Sequence, residues 1–147
     1  MRRDSRLSIA LHTLVHMADA KGPVTAEAIA RMAETHAVVM RRTLAGLREA
    51  GIVTADKGHG GGFRLARAPH DITLADIYVA LGITNLFAIG MHSENPECLV
   101  ERAVNHAMGS ALSDAEALLV SRLKQITLAD LAAEVATKRR KKEHAHA

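Results

Sequence analysis

Apolar residues in the first fifty positions recur at helical rather than strand spacing. In "RLSIALHTLVHMAD", Leu7, Ile9, Ala10, Leu14, Val15 and Met17 can share one side of a helix, and "KGP" at residues 21–23 stops it. "VTAEAIARMAE" predicts a short second helix with Thr25 as N-cap and Ile29 and Met32 turned inward. "HAVVMRRTLAGLREAG" predicts a third, longer helix. Val39 or Met40, Leu44 and Leu47 line its inner face, and Gly51 stands where a C-terminal glycine belongs.

The period then changes. "IVTADK" and "FRLAR" are short, alternating or β-branched stretches on either side of a glycine cluster, which is the pattern of a hairpin. After Pro69, "ITLADIYVALG" returns to helical spacing, capped by Thr73, with Ile77, Ala80 and Leu81 inward. Residues 82–97 read as a loop around "MHSENPE", with Pro96 and Glu97 placed to start a helix. Three more helices are expected in "CLVERAVNHAMGSAL", "SDAEALLVSRLKQI" and "TLADLAAEVATKRR", with Ser113 and Thr127 as caps. "ITLAD" occurs at residues 72–76 and again at 126–130, one capping solution used twice. The tail "KRRKKEHAHA" reads as a basic, disordered segment over residues 138–147.

A chain of 147 residues can bury a core without disulfides. Phe63, Tyr78 and Phe87 are its only aromatics, so the core is Ala, Leu, Val, Ile and Met, a mixture that favours helices. No apolar run is long enough to span a bilayer, and no membrane partner is expected. Cys98 is the single cysteine and cannot form an intramolecular disulfide, which suits a reducing cytoplasm.

Charge divides the chain more sharply than its net value of +3 suggests. Residues 1–67 carry eleven Lys/Arg against six Asp/Glu, whereas residues 68–137 carry three against nine. The first part is therefore the one expected to face a polyanion.

The glycines of "GHGGG" admit a nucleotide loop or a hairpin tip. A phosphate-binding P-loop needs Lys and then Ser or Thr after its last glycine, with a helix beyond. Here Lys57 precedes the cluster and the next segment reads as a strand, so neither that loop nor a dinucleotide fingerprint is complete. A nucleotide-binding enzyme using Gly58 to Gly62 is the remaining alternative. It lacks a catalytic constellation, and no nucleophile pattern such as G-x-S-x-G occurs. No enzyme is expected.

Helix, short helix, turn, longer helix and glycine-tipped hairpin is the order of a winged helix-turn-helix. The expected class is mainly α with a small β-hairpin wing. Residues 1–81 form the DNA-binding domain and residues 82–137 a helical dimerisation region. A helix fits the major groove and a thin basic wing can follow the backbone. The outer face of the third helix would present His36, Val38, Arg41, Arg42, Ala45 and Arg48. The candidate DNA-binding residues are Thr25, His36, Val38, Arg41, Arg42, Lys57, Gly58, His59, Gly60 and Gly61.

At "LAGLREAGIVTADKGHGGGFRLARAPHDITLADI" the chain resembles the Rrf2 family of bacterial transcription regulators, which includes the iron–sulfur cluster regulator and relatives sensing nitric oxide or cysteine status. The family joins a leucine-rich recognition helix and "aGlv" to "G-x-GGy-L-ar" and "I-t-l-d-i", here residues 50–53, 58–66 and 72–77. "SIALHTLVHMA" and the late "ITLADL" match as well, so the resemblance covers most of residues 2–132. It implies a homodimeric regulator, most often a repressor, on near-palindromic double-stranded operator DNA, with a long helix crossing between subunits. It also implies DNA contact by His36, Val38, Arg41 and Arg42 and by Lys57 on the wing. The usual "s-x-x-y-L" start of the recognition helix is "HAVVM" here, so base preference is expected to differ.

Cluster-binding members carry three cysteines between the wing domain and the dimer helix. This chain has Cys98 alone, with His92, Glu94 and Glu97 nearby, so no iron–sulfur cluster or other cofactor is expected. Cys98 stands as a candidate redox sensor, through a thiol switch or intersubunit disulfide, with Arg102 favouring the thiolate and Glu97 and Glu101 opposing it. His12 and His16 sit one turn apart without supporting ligands, and no metal site is expected. An apolar stripe of Leu112, Ala115, Leu118, Leu119, Leu123 and Ile126 is the expected dimer face. No motif identifies an effector.

Overall fold

The computed structural model describes residues 5–83 and 94–145. Most of the loop expected at 82–97, including Phe87 and His92, lies outside the described residues. The elements run α1 (Arg6–Asp19), α2 (Ala26–Met32), α3 (Ala37–Glu49), β1 (Val53–Asp56), β2 (Gly62–Leu65), a 3-10 turn (Pro69–Asp71), α4 (Leu74–Ala80), α5 (Leu99–Leu123) and α6 (Leu128–Ala145).

The first three helices form where the apolar spacing places them. α1 buries Ala10, Thr13, Leu14 and Met17; α2 buries Ala26, Ile29 and Ala30; α3 buries Met40, Thr43, Leu44 and Leu47. On α3 the inner residue is therefore Met40, and Val39 is exposed. Met32, expected inside, lies at the last turn of α2 and is also exposed. Thr25 caps α2, its hydroxyl oxygen accepting from Ala28 N–H at 3.2 Å. Leu14, Ile29, Met40, Leu44, Leu47, Ile52, Ile72, Ile77 and Leu128 make one fully buried cluster. Burial of each such side chain stabilises the fold by about 1.5–3 kcal/mol. Thr13 keeps its hydroxyl satisfied within it by donating to the Met40 sulfur at 3.6 Å.

β1 and β2 pair antiparallel with Val53 opposite Leu65 and Asp56 opposite Gly62. A third short segment joins them. Val24 N–H donates to the Phe63 carbonyl at 2.9 Å, and Phe63 N–H returns a bond to Val24 at 2.8 Å. The hairpin is thus tied to the residues just before α2.

The two "ITLAD" segments meet. Thr73 and Thr127 pair in an antiparallel bridge, with Leu74 N–H on Ile126 at 2.9 Å and Leu128 N–H on Ile72 at 2.8 Å. Each threonine also caps its own helix. Asp76 N–H donates to Thr73 Oγ1 while Thr73 N–H donates to Asp76, and Thr127 and Asp130 repeat the arrangement. Those backbone bonds hold the Asp130 carboxyl below the usual carboxylate range. Through this bridge α6 starts inside the same core as α1–α4, with Leu128 fully buried, although its sequence lies within the expected dimerisation region.

Three expectations for the C-terminal half are corrected. α5 is one continuous helix of 25 residues, so Ser113 is interior to it and caps nothing. A helix once nucleated gains a hydrogen bond per added residue, and a single exposed serine is too weak to interrupt it. The basic tail is helical as far as Ala145, continuing α6. On it Glu134 makes an i,i+4 pair with Lys138, and Arg139 pairs with Asp19 of α1. The expected dimer stripe also divides. Leu119 and Leu123 pack on α4 around Leu74, Ala75 and Tyr78, while Leu118 is 68% exposed. Tyr78 joins the two helices by donating to the Glu116 carboxylate at 2.6 Å, which together with burial pushes its phenol up to about 12.

Candidate nucleic-acid interface

A tight turn aims α3. Thr35 N–H bonds to Ala30 at 3.0 Å and Glu34 N–H to Arg31 at 3.3 Å, with Glu34 at φ 50. His36 is the N-cap of α3 and makes no side-chain cap bond. With Met40, Leu44 and Leu47 in the core, the helix leaves His36, Val38, Arg41, Arg42, Ala45 and Arg48 exposed, as the spacing predicts. Val38 is 62% exposed.

The two adjacent arginines diverge. Arg41 turns toward α2, where Nη2 donates to Glu27 in an exposed ion pair. Arg42 lines a shallow groove with Arg6, Val39, Thr43 and Leu81, between α1, α3 and α4. One hundred degrees per residue on a helix separates neighbours in this way. The structure therefore spreads positive charge across both flanks of α3 rather than concentrating it. Glu27 was legible only as an acid in the first turn of α2. Its engagement with Arg41 spans a turn and two helices, and no local pattern signals that.

The wing begins where α3 ends. Ile52 N–H returns to the Leu47 carbonyl at 2.9 Å, and Ala66 N–H closes on Ile52 at 2.9 Å. Lys57, Gly58, His59 and Gly60 are exposed at the tip, and Gly61 is half-buried. Gly58 sits at φ 91, a region side chains disfavour. At Gly61 a Cβ would lie 2.3 Å from the Asp56 carbonyl oxygen, so only glycine passes under the strand. The glycines thus serve the turn, and β2 follows them rather than a helix. The P-loop and dinucleotide patterns both need a helix directly after the glycines, and a strand stands there instead. Arg64 of β2 is paired with Asp56 on the neighbouring strand, so its charge is partly offset there.

Thr25 joins this group through the backbone. A Cβ at Gly62 would lie 2.7 Å from the Val24 carbonyl and 3.1 Å from Thr25 N, so the start of α2 and the root of the wing touch. The structure thus links Thr25, Arg41 and the wing through α2, while Arg42 flanks α3 on the opposite side.

The other candidates lie elsewhere. Cys98 is the N-cap of α5, half-buried, with its N–H on the Asn95 carbonyl at 3.0 Å. Glu101 accepts from Asn95 N–H at 3.3 Å, and Glu97 N–H bonds to the Asn95 side chain. A cluster needs several thiolates, and this chain has one, with the nearby Glu101 carboxylate already accepting from the Asn95 backbone. Among the described residues no group of three His, Cys, Asp or Glu side chains could hold a metal ion. His12 and His16 share a 2.9 Å contact between Nε2 atoms on α1, with stacked rings. Burial first, then the fields of His12 and Arg139, lower the His16 pKa. Among the described residues no helix is long and apolar enough to cross a membrane.

Comparison with known proteins agrees with this geometry. The family model Rrf2, described as an iron-dependent transcriptional regulator, matches residues 3–134. The chain is 30% identical over 129 residues to YwnA of Bacillus subtilis (strain 168), which is named as an HTH-type transcriptional regulator, covering 87% of this chain and 95% of that one. Among solved structures, a transcriptional regulator from Lactobacillus plantarum superposes with a TM-score of 0.76 at 21% identity, over 98% of both chains. IscR of T. potens superposes with a TM-score of 0.67 at 23% identity, over 92% of this chain and 88% of that one. At such identities these two structures speak for the fold alone.

Proposed function

This chain belongs to the Rrf2 family of DNA-binding transcriptional regulators, and from that premise we propose that it is a cytoplasmic homodimeric repressor of a near-palindromic operator. In this reading α3 enters the major groove with His36, Val38, Arg41 and Arg42. Thr25 at the start of α2 and the tip residues Lys57, Gly58, His59, Gly60 and Gly61 meet the phosphate backbone.

The observation that carries the dimer is the outer face of α5. Leu99, Val100, Val104, Met108 and Leu118 are all exposed, and of the helix's 25 residues only Leu123 is buried. An apolar face of that length is costly in water and is the kind a second copy covers. Two copies would place two α3 helices on one duplex, which is the requirement for reading a palindrome.

Sedimentation at micromolar concentration tests it: the chain runs as a dimer. Val104→Glu, which sets a charge in the middle of the apolar face, runs as a monomer and loses at least about tenfold in operator affinity because each half-site then binds alone. A wild-type chain that stays monomeric at tens of micromolar refutes the dimer.

No cluster takes part in this reading, because one thiol per chain stands where a cluster needs several. The expected result is a colourless protein after anaerobic purification, without sulfide-to-iron absorption. A brown preparation containing acid-labile sulfide overturns it.

A further inference from the structure

We infer that Glu27 is a specificity-determining positioning residue, holding the Arg41 guanidinium for sequence readout and guarding it against indiscriminate phosphate binding. The inference rests on the reading that Arg41 faces DNA.

Three observations lead there. First, the Glu27–Arg41 pair joins the first turn of α2 to the second turn of α3, across the turn of the helix-turn-helix. Its side chains are 52% and 58% exposed, so it lies at the surface and contributes little to folding. Secondly, Glu27 stands on a fixed platform. Thr25 caps α2 at its side, and Val24 is bonded in both directions to Phe63 of the wing. A carboxylate on such a platform can orient a long, flexible side chain that has no other reason to prefer one rotamer. Thirdly, the contact occupies one donor. Nη2 donates to Glu27 Oε1, and a guanidinium has five N–H groups in a planar fork. Enough remain to meet the two acceptors of a guanine edge. The Glu27 backbone and Arg41 together hold its carboxyl below the usual range, so it is fully ionised at neutral pH.

The charge has a second consequence. A fixed carboxylate on a surface that approaches phosphates lowers affinity for every duplex alike. An arginine already satisfied by it gains less from a phosphate than a bare one. What the pair yields at a guanine, an oriented fork, it does not yield on a random sequence. Discrimination rises while total attraction falls, which is how specificity is built against competing sites.

The test uses the full chain, a duplex selected by the wild-type protein from a random-sequence pool, and the unselected pool itself. Affinity for both is measured at fixed salt for wild type, Glu27→Ala, Glu27→Gln, Arg41→Ala and the Glu27→Ala/Arg41→Ala double variant. Glu27→Ala is expected to bind the pool a few-fold more tightly and to lower the selected-to-pool ratio about tenfold. Glu27→Gln, which keeps an oxygen for Arg41 but no charge, binds the pool as Glu27→Ala does and retains more affinity for the selected duplex. In the Arg41→Ala background, Glu27→Ala leaves the ratio unchanged. If Arg41→Ala lowers the ratio and Glu27→Ala does not, the inference fails while the DNA face stands. It fails likewise if the Glu27→Ala effect persists undiminished without Arg41. If Arg41→Ala changes neither affinity, the DNA-face reading itself fails and this inference with it.

Discussion

Replacing Arg41 and Lys57 together by alanine is expected to weaken operator binding at least about thirtyfold at moderate salt, by summing interactions of about 1–3 kcal/mol each. The two residues act differently. Lys57 stands exposed at the wing tip beside glycines that let the backbone come close, so its expected contribution is to phosphate. Removing one phosphate-binding cation lowers the slope of log affinity against log salt by about 0.9 on B-DNA, and a dimer carries two such lysines, one per wing. Arg41 is held on the flank of α3 by Glu27, so its removal should relax preference at one base pair in each half-site as well as weaken binding. Titrating the double variant against the selected duplex at several salt concentrations separates the two parts. Operator affinity unchanged across salt would show that the DNA face has been assigned to the wrong surface.

Leu44→Ala is expected to cost the fold about 3 kcal/mol, within the range for opening a buried cavity where leucine was. Leu44 is 0% exposed and belongs to the cluster containing Leu14, Ile29, Met40 and Leu47, so all three helices of the DNA-binding unit border the space it fills. Loss of that side chain leaves a hole walled by rigid helices that cannot collapse into it. The measurement is urea unfolding at one fixed protein concentration, since the midpoint of a dimer would depend on concentration. Val38→Ala, one turn and a half earlier on the same helix but 62% exposed, should stay within about 0.5 kcal/mol of wild type. Equal losses in the two variants would mean that the inner and outer faces of α3 are wrongly placed.

The contrast between those two positions is one that spacing alone makes visible. Leu44 and Leu47 fall inward and Val38 and Arg41 outward because a helix turns by a fixed angle per residue. Capping was equally legible: Thr25, Thr73 and Thr127 each stand before an apolar helical run, and an unpaired N–H lies within reach of each hydroxyl. The wing followed from glycines that are followed by a strand. The Ser113 expectation failed because its side chain has no power to end a helix that its neighbours propagate. The tail expectation failed because composition counts charges but not the helix already propagating into them from Leu128.

Local chemistry therefore determined the order of elements, their caps, the buried face of each of the first helices and the exposed tip of the wing. Each depends on residues within a turn or a hairpin of one another, where geometry is nearly independent of the rest of the chain. Tertiary structure decided the rest. It set the bridge between the two "ITLAD" segments, 54 residues apart, and with it the return of α6 to the N-terminal core. It turned Leu119 and Leu123 onto α4 and left Leu118 outside. It also placed Glu27 against Arg41, sending the two adjacent arginines to opposite flanks of α3. These outcomes depend on how helices cross. A crossing is chosen by the fit of whole faces, and no single stretch of sequence carries that information.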